Sequence, residues 1–295
     1  MSPLIQLHIV PATTQAIEQI QNFLIDAEAM STIESYEKKD KSIEIFELIQ
    51  QNQFYLVYLN ESLWGCFAFR SLGYGAQLTS FYLSSTKQLP ETNIVQRQHN
   101  LLLLWESIQR KALEASFSYL TVVSAPARQA WYETLGGKPS NVLHNQNDAV
   151  EYYLAVVDQP WINLLTAGLV CIKDHRLLLA FSKNKQAWYL PGGKIDAGEN
   201  SQEALIREIE EELSFILQPE RLSYLTHIVA PAYGEKKNIL MQQDCYLYEL
   251  AADVITIANE IGGIQYFTKE EYLQHQIPVP GVLKVFDFLF DRCLL

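Results

Sequence analysis

Apolar side chains alternate from Leu4 to Pro11 as in a strand, then recur at helical spacing from Thr13 to Ala29 through Ile17, Ile20, Phe23, Leu24 and Ala27. A second helix is predicted at about Ser42 to Gln51. Three β-rich runs follow, Phe54 to Leu59, Leu63 to Leu72 and Gln77 to Ser84, divided by the turn signals Asn60-Glu61 and Gly73-Tyr74-Gly75. They read as an antiparallel meander. A long helix, Val95 to Ala115, precedes a strand, Tyr119 to Ser124. A helix then opens at Pro126, where proline is tolerated in the first turn, and a closing strand runs near Val150 to Val157. The predicted order is βααβββαβαβ.

At Asp158-Gln159-Pro160 the pattern restarts: strand Leu164 to Ile172, turn Asp174-His175, strand Leu177 to Phe181. With 295 residues and about 100 to 200 residues per domain, the chain is expected to hold two α/β (α+β) domains, residues 1–157 and 161–295. Each is large enough to bury a core without staples.

The stretch most informative about chemistry is Trp188 to Phe215, WYLPGGKIDAGENSQEALIREIEEELSF, which reads as strand, glycine loop and helix. Asn200 with Glu203 three residues on is a capping-box arrangement, so the helix should begin at about Ser201. Ala204, Leu205, Ile209 and Leu213 would face the core, while Glu208, Glu211 and Glu212, at i, i+3 and i+4, project from one face. Like charges at that spacing repel. Either the face is simply solvated, or a cation offsets it, and all-carboxylate ligands suit Mg²⁺ or Mn²⁺ better than zinc. Gly192 and Gly193 would let backbone approach a ligand closely, and Lys194 would meet phosphate or water.

The spacing Gly193, Glu199, Arg207-Glu208-Ile209-Glu210-Glu211-Glu212-Leu213-Ser214-Phe215 resembles the Nudix box, G-x5-E-x7-R-E-U-x-E-E-x-G-U. Ser214 stands where that family has glycine, a change expected to cost about 1 kcal/mol or less at a left-handed helix end. The resemblance spans about residues 160–295, including Leu190-Pro191-Gly192 and a late strand, Glu260 to Phe267. It implies an α/β/α sandwich that hydrolyses a nucleoside diphosphate linked to another moiety. In its terms Glu208, Glu211 and Glu212 hold Mg²⁺ or Mn²⁺, Glu211 or Glu212 is the candidate base, and Arg207 pairs with Glu199 beside the catalytic carboxylates. Substrate binding would fall to Gly192, Gly193 and Lys194. Ala230 to Asp244, carrying Tyr233, Lys236 and Lys237, is expected to be either a specificity loop or plain exposed chain, and Glu260 is a candidate late ligand or base.

The element order before residue 157 resembles the GNAT (N-acetyltransferase) fold, a mixed sheet with flanking helices. Ala127 to Gly137 is similar to that family's A-x-x-h-Y-e-k-h-G-F ending, with Tyr132 at the position of its usual general acid. The acyl-CoA loop of that family, [Q/R]-x-x-G-x-[G/A], is matched only by Arg97-Gln98-His99-Asn100-Leu101-Leu102, where Asn100 and Leu102 replace small residues. The resemblance therefore implies altered or lost acyl transfer. Two alternatives stand beside it: acetyl-CoA-dependent N-acyltransfer through Arg97, Asn100 and Tyr132, or a non-catalytic dimerisation or sensing module.

Composition narrows the partners. The chain carries 22 basic and 34 acidic residues, net −12; residues up to 157 hold 10 basic and 15 acidic (−5), those beyond hold 12 and 19 (−7). Neither half offers the positive field that nucleic-acid polymers require, so a small nucleotide is the expected partner; a homodimer stays open. Cys66, Cys171, Cys245 and Cys293 show no C-x-x-C spacing and read as reduced thiols of a cytoplasmic protein. No export signal precedes Gln15, and the longest apolar run, Trp161 to Ile172, falls short of the 18 to 20 or so residues of a membrane span. G-x-G-x-x-G, P-loop, H-E-x-x-H and G-x-S-x-G patterns are absent.

Overall fold

The computed structural model describes residues 6–28, 41–84, 94–124, 126–143, 149–250, 255–275 and 277–295. The chain divides into two compact units, Met1–Ala125 and Pro126–Leu295. Among the described residues, no helix is long and apolar enough to cross a membrane.

The first unit runs β1 (Leu7–Pro11), α1 (Ile17–Glu28) after one 3-10 turn, α2 (Lys41–Gln50), β2 (Phe54–Leu59), β3 (Ser62–Ser71), β4 (Ala76–Leu83), α3 (Ile94–Glu114) and β5 (Tyr119–Ser124). Strands β1 to β4 pair antiparallel in sequence order, as the meander reading expects. Strand β5 pairs parallel to β4, in register at Ala76 with Leu120 and Gln77 with Thr121. Alternation sorts β2 and β3 into two faces: Phe54, Leu56, Cys66 and Ala68 pack with Ile20 and Leu24 of α1 and Ile45, Leu48 and Ile49 of α2, while Tyr55, Phe67, Phe69 and Phe117 form a chain of ring contacts.

The second unit opens with a 3-10 turn at Pro126–Arg128 and the short helix α4 (Gln129–Thr134). Two strands follow where one was expected: β6 (Lys138–Leu143) pairs antiparallel with β7 (Val150–Ala155). Lys-Pro-Ser-Asn-Val-Leu has no apolar alternation, so its strand state comes from β7 and not from its own side chains. The contacts divide the chain at residue 125, whereas the sequence pattern restarts at Asp158-Gln159-Pro160. Glu151 on β7 pairs with Lys284, and both are buried.

The remaining elements are β8 (Ile162–Val170), β9 (Ile172–Lys173), β10 (Arg176–Ser182), β11 (Ala187–Tyr189), α5 (Ser201–Leu213), β12 (Ser223–Pro231), β13 (Ile239–Leu247), β14 (Ile261–Phe267), α6 (Lys269–Leu273) and α7 (Pro280–Asp291). Asp174 and His175, both at positive φ, make the β9–β10 turn. One sheet is ordered β12-β13-β8, with β8 parallel to β13; the other is β11-β10-β14, with β9 on β10. Successive residues of β8 and β10 serve opposite layers. Ala167, Leu169, Leu178 and Ala180 pack on Ala204, Leu205 and Ile209 of α5, whereas Val170, Leu177 and Leu179 join Val282, Val285 and Phe286 of α7. The result is an α/β/α sandwich.

Candidate active site

The loop between β11 and α5 is anchored along β8: Leu169 N donates to Pro191 O at 2.8 Å, Ala167 N to Gly193 O at 2.9 Å and Ile195 N to Leu165 O at 3.1 Å. Gly192 is required by this path, and Gly193 leaves room for a side chain beside it. Gly192 has φ +126°, and a Cβ there would stand 2.3 Å from Ala167 O; a Cβ on Gly193 would stand 2.3 Å from Glu208 Cδ. The space that Gly193 leaves is filled by a carboxylate.

Helix α5 starts as expected. Asn200 Oδ1 accepts from Gln202 N and Glu203 N, each at 3.0 Å, and Glu203 Oε2 accepts from Asn200 N at 2.9 Å. It ends at Ser214 in the left-handed region, φ 47°. The C-terminal carbonyls are taken up by a later segment: Thr256 N donates to Leu213 O at 3.0 Å, Ala258 N to Glu212 O at 2.8 Å and Asn259 Nδ2 to Glu211 O at 2.7 Å. Lys183 N in turn binds Glu260 O at 2.9 Å. These bonds fix Glu260 next to the helix end.

Arg207 locks the loop to the helix. Its Nε and Nη2 donate to Glu199 at 3.2 and 2.6 Å, Nη2 also to Lys194 O at 3.0 Å, and Nη1 to Glu208 Oε1 at 2.9 Å. The hydrogen bond from Arg207 holds the Glu199 carboxyl below its usual range, and Glu199 holds the guanidinium proton more firmly still.

A cavity of about 420 Å³ opens beside this lock, lined by Gly192, Gly193, Lys194, Glu208, Glu212 and Glu260 among others. Glu212 is 8% exposed and accepts from Gly192 N at 3.0 Å. Burial, then the charges of Glu208, Glu260 and Glu211, push its carboxyl up to about 8 against the Gly192 bond. Burial also raises Glu208. Glu211 does not line the cavity: its side chain is 55% exposed and lies 3.7 Å from Arg207 Nη1. Among the described residues no three His, Cys, Asp or Glu side chains stand close enough together to form a ready metal shell. The donors nevertheless fit a hard dication in kind. They are all carboxylate oxygens, they repel one another, and Glu208, Glu211 and Glu212 sit in the last two turns of α5, where the helix dipole disfavours negative charge. Glu208 and Glu212 would hold such an ion, with Glu260 or Glu211 completing it.

A family model for the NUDIX domain matches residues 163–283. Residues 163–283 form a Nudix domain. A putative 8-oxo-dGTP diphosphatase of Bacillus subtilis (strain 168) is 40% identical over 47 residues, 16% of this chain and 32% of its own length. The uncharacterized Nudix hydrolase YvcI of the same organism is 26% identical over 121 residues, 39% of this chain and 72% of its own. Among solved structures, a bifunctional NMN adenylyltransferase/ADP ribose pyrophosphatase from Francisella tularensis, complexed with AMP and a Mn ion, is 19% identical, with TM-score 0.37 over 45% of this chain and 42% of its own. This chain thus spans about a third of the first relative and under half of the solved structure.

The cavity of the Nudix domain also receives groups that the motif does not mark. Lys185, from the β10–β11 turn, and Glu235, from the β12–β13 turn, both line it, as do Thr166 and Gln243. Tyr233 lines it as the loop reading expects; Lys236 and Lys237 do not, and the segment is shorter than Ala230 to Asp244, because β13 already starts at Ile239. No local signal in the sequence singles out Lys185 or Glu235, which come from turns 50 positions apart. The residues assigned to acyl-CoA lie elsewhere. Arg97 and Asn100 are one turn apart on α3; Asn100 is buried, and the Arg97 side chain is outside the described residues, as is chain 85–93 before it. Tyr132, on α4, is buried between Trp131 and Tyr152, and burial pushes its phenol up to about 12.

Proposed function

We propose that the Nudix domain is a Mg²⁺- or Mn²⁺-dependent hydrolase that cleaves the diphosphate linkage of a nucleoside diphosphate bonded to another moiety. The supporting observation is the placement of Glu208, Glu212 and Glu260 on one cavity with the Gly192-Gly193 backbone. A bound dication would neutralise charge developing on phosphoryl oxygen and acidify a water. The chain supplies the frame: Arg207 aims Glu208, the Gly192 amide aims Glu212, and Lys194, whose side chain is 58% exposed and pairs with Glu235, would meet phosphate. Glu212 or Glu211 takes the proton of the attacking water. The test is a substrate panel with Mg²⁺ and Mn²⁺ that includes 8-oxo-dGTP and ADP-ribose. Release of a nucleoside monophosphate, lost at least a hundredfold in Glu212→Gln, is expected; absence of turnover across the panel overturns the reading.

For residues 1–157 we propose a GNAT-like fold with altered or lost acyl transfer. The antiparallel run β1 to β4 followed by a parallel β5 paired with β4 at Ala76–Leu120 and Gln77–Thr121 supports it, and the burial of Asn100 argues against an open backbone cradle there. Calorimetry with acetyl-CoA should show no binding; saturable binding lost in Arg97→Ala would restore the acyltransferase.

A further inference from the structure

One wall of the Nudix cavity is a small charge cluster built from three connecting segments. Glu235 Oε1 lies 3.3 Å from Lys185 Nζ and 3.6 Å from Lys194 Nζ, so one carboxylate oxygen faces two ammonium groups. Lys185 is held in this position from several sides. Its ammonium donates to Tyr233 O at 3.4 Å and stands 5.3 Å from the centre of the Tyr189 ring. Its stem runs along Gly234, where a Cβ would come within 3.1 Å of Lys185 Cδ, and Gly234 is at φ +78°. Tyr189 Oη donates to the same Tyr233 carbonyl at 3.4 Å. Glu235 and Lys185 are each about one-third exposed or less. The two lysines are the cations among the described residues that line the cavity, against Asp196, Glu208, Glu212, Glu235 and Glu260.

The arrangement has a consequence for anions. Two ammonium groups with one carboxylate between them carry a net charge of +1, and a phosphate drawn to either lysine also meets Glu235. A terminal phosphate, with its second ionisation largely complete at neutral pH, would have to displace the carboxylate or stand beside it. An uncharged group bearing hydroxyls meets no such repulsion and can donate to a carboxylate oxygen. Resting on the hydrolase reading above, we infer that Glu235 is a charge-selecting residue: it directs this site to nucleoside diphosphates bonded to an uncharged, hydroxyl-bearing group such as a sugar, and against nucleoside triphosphates. At the separation of neighbouring side chains near a protein surface, and discounted for partial exposure and salt, one unit of charge is worth about tenfold in relative preference.

Two measurements on the full chain test this. The first compares kcat/KM for ADP-ribose and ATP in the native protein and in Glu235→Gln, with Mn²⁺, at low and high salt. Native preference for ADP-ribose, and a shift of about tenfold toward ATP in the variant that shrinks as salt rises, are expected. A ratio unchanged within twofold, equal gains on both substrates, or native preference for ATP overturns the inference. The second follows Trp fluorescence during metal-free titration with pyrophosphate and tripolyphosphate. Glu235→Gln should tighten tripolyphosphate about tenfold more than pyrophosphate, and Lys185→Gln added to it should abolish that gain. Equal changes for the two ligands overturn the proposal even if catalysis is present. If neither nucleotide is cleaved by the native protein, the hydrolase reading fails on the first measurement, and charge selection is decided by the second.

Discussion

Lys284 of α7 and Glu151 of β7 form an ion pair in which each side chain is only 11% exposed. Replacing Glu151 with alanine leaves a buried ammonium group without its carboxylate. Removing one partner of a buried pair costs about 3–5 kcal/mol, because the remaining charge keeps its desolvation cost and loses its compensation. At a urea m-value near the middle of the usual range of about 1–3 kcal/mol/M, that lowers the unfolding midpoint by roughly 2 M. Hydrogen exchange over α7 as a function of urea reports the second unit separately from the first. The double variant Glu151→Leu/Lys284→Met should recover to within about 1 kcal/mol of the native protein, or exceed it, since a hydrophobic pair has no charge to desolvate. If Glu151→Ala changes the stability of α7 by less than about 1 kcal/mol, or if the double variant is no better than the single, the pair is solvated and the reasoning is wrong.

Gly193→Ala must move the Glu208 carboxylate by about 1 Å, a displacement worth about a hundredfold in rate with little change in urea midpoint; full activity would show that Glu208 need not sit where it does. Ser214→Gly should stabilise the second unit by up to about 1 kcal/mol by relieving the left-handed backbone, and a lower urea midpoint would contradict this. Of the four cysteines, Cys293 is exposed and the others buried, with burial pushing Cys66 up to about 12 and Cys245 higher still. Ellman's reagent at pH 8 should therefore find one fast thiol in the native chain; two or more would mean that a core opens readily.

What was legible in the sequence was local. Asn200 with Glu203, the Gly192-Gly193 pair, Glu199 opposite Arg207 and the left-handed Ser214 are set by backbone geometry within a few residues or two helical turns, and each is found in place. Helical spacing also put Glu208, Glu211 and Glu212 on one side of α5, but spacing does not say where a cavity edge falls. Glu208 and Glu212, four residues apart, share the cavity side, while Glu211 lies toward Arg207 and solvent. Strand β6 was missed because its residues carry no period of their own, and the β12–β13 turn proved shorter than its polar residues suggested. The lysine–glutamate wall could not be read at all, since it exists only once strands from distant parts of the chain are paired.

Helices ordinarily unravel from their ends, and the candidate ligands Glu208, Glu211 and Glu212 occupy the final two turns of α5. There the amides of Thr256 and Ala258 and the side chain of Asn259 bind the carbonyls of residues 211–213, which would otherwise be solvated. Fraying is therefore opposed at the terminus where wandering carboxylates would do most harm.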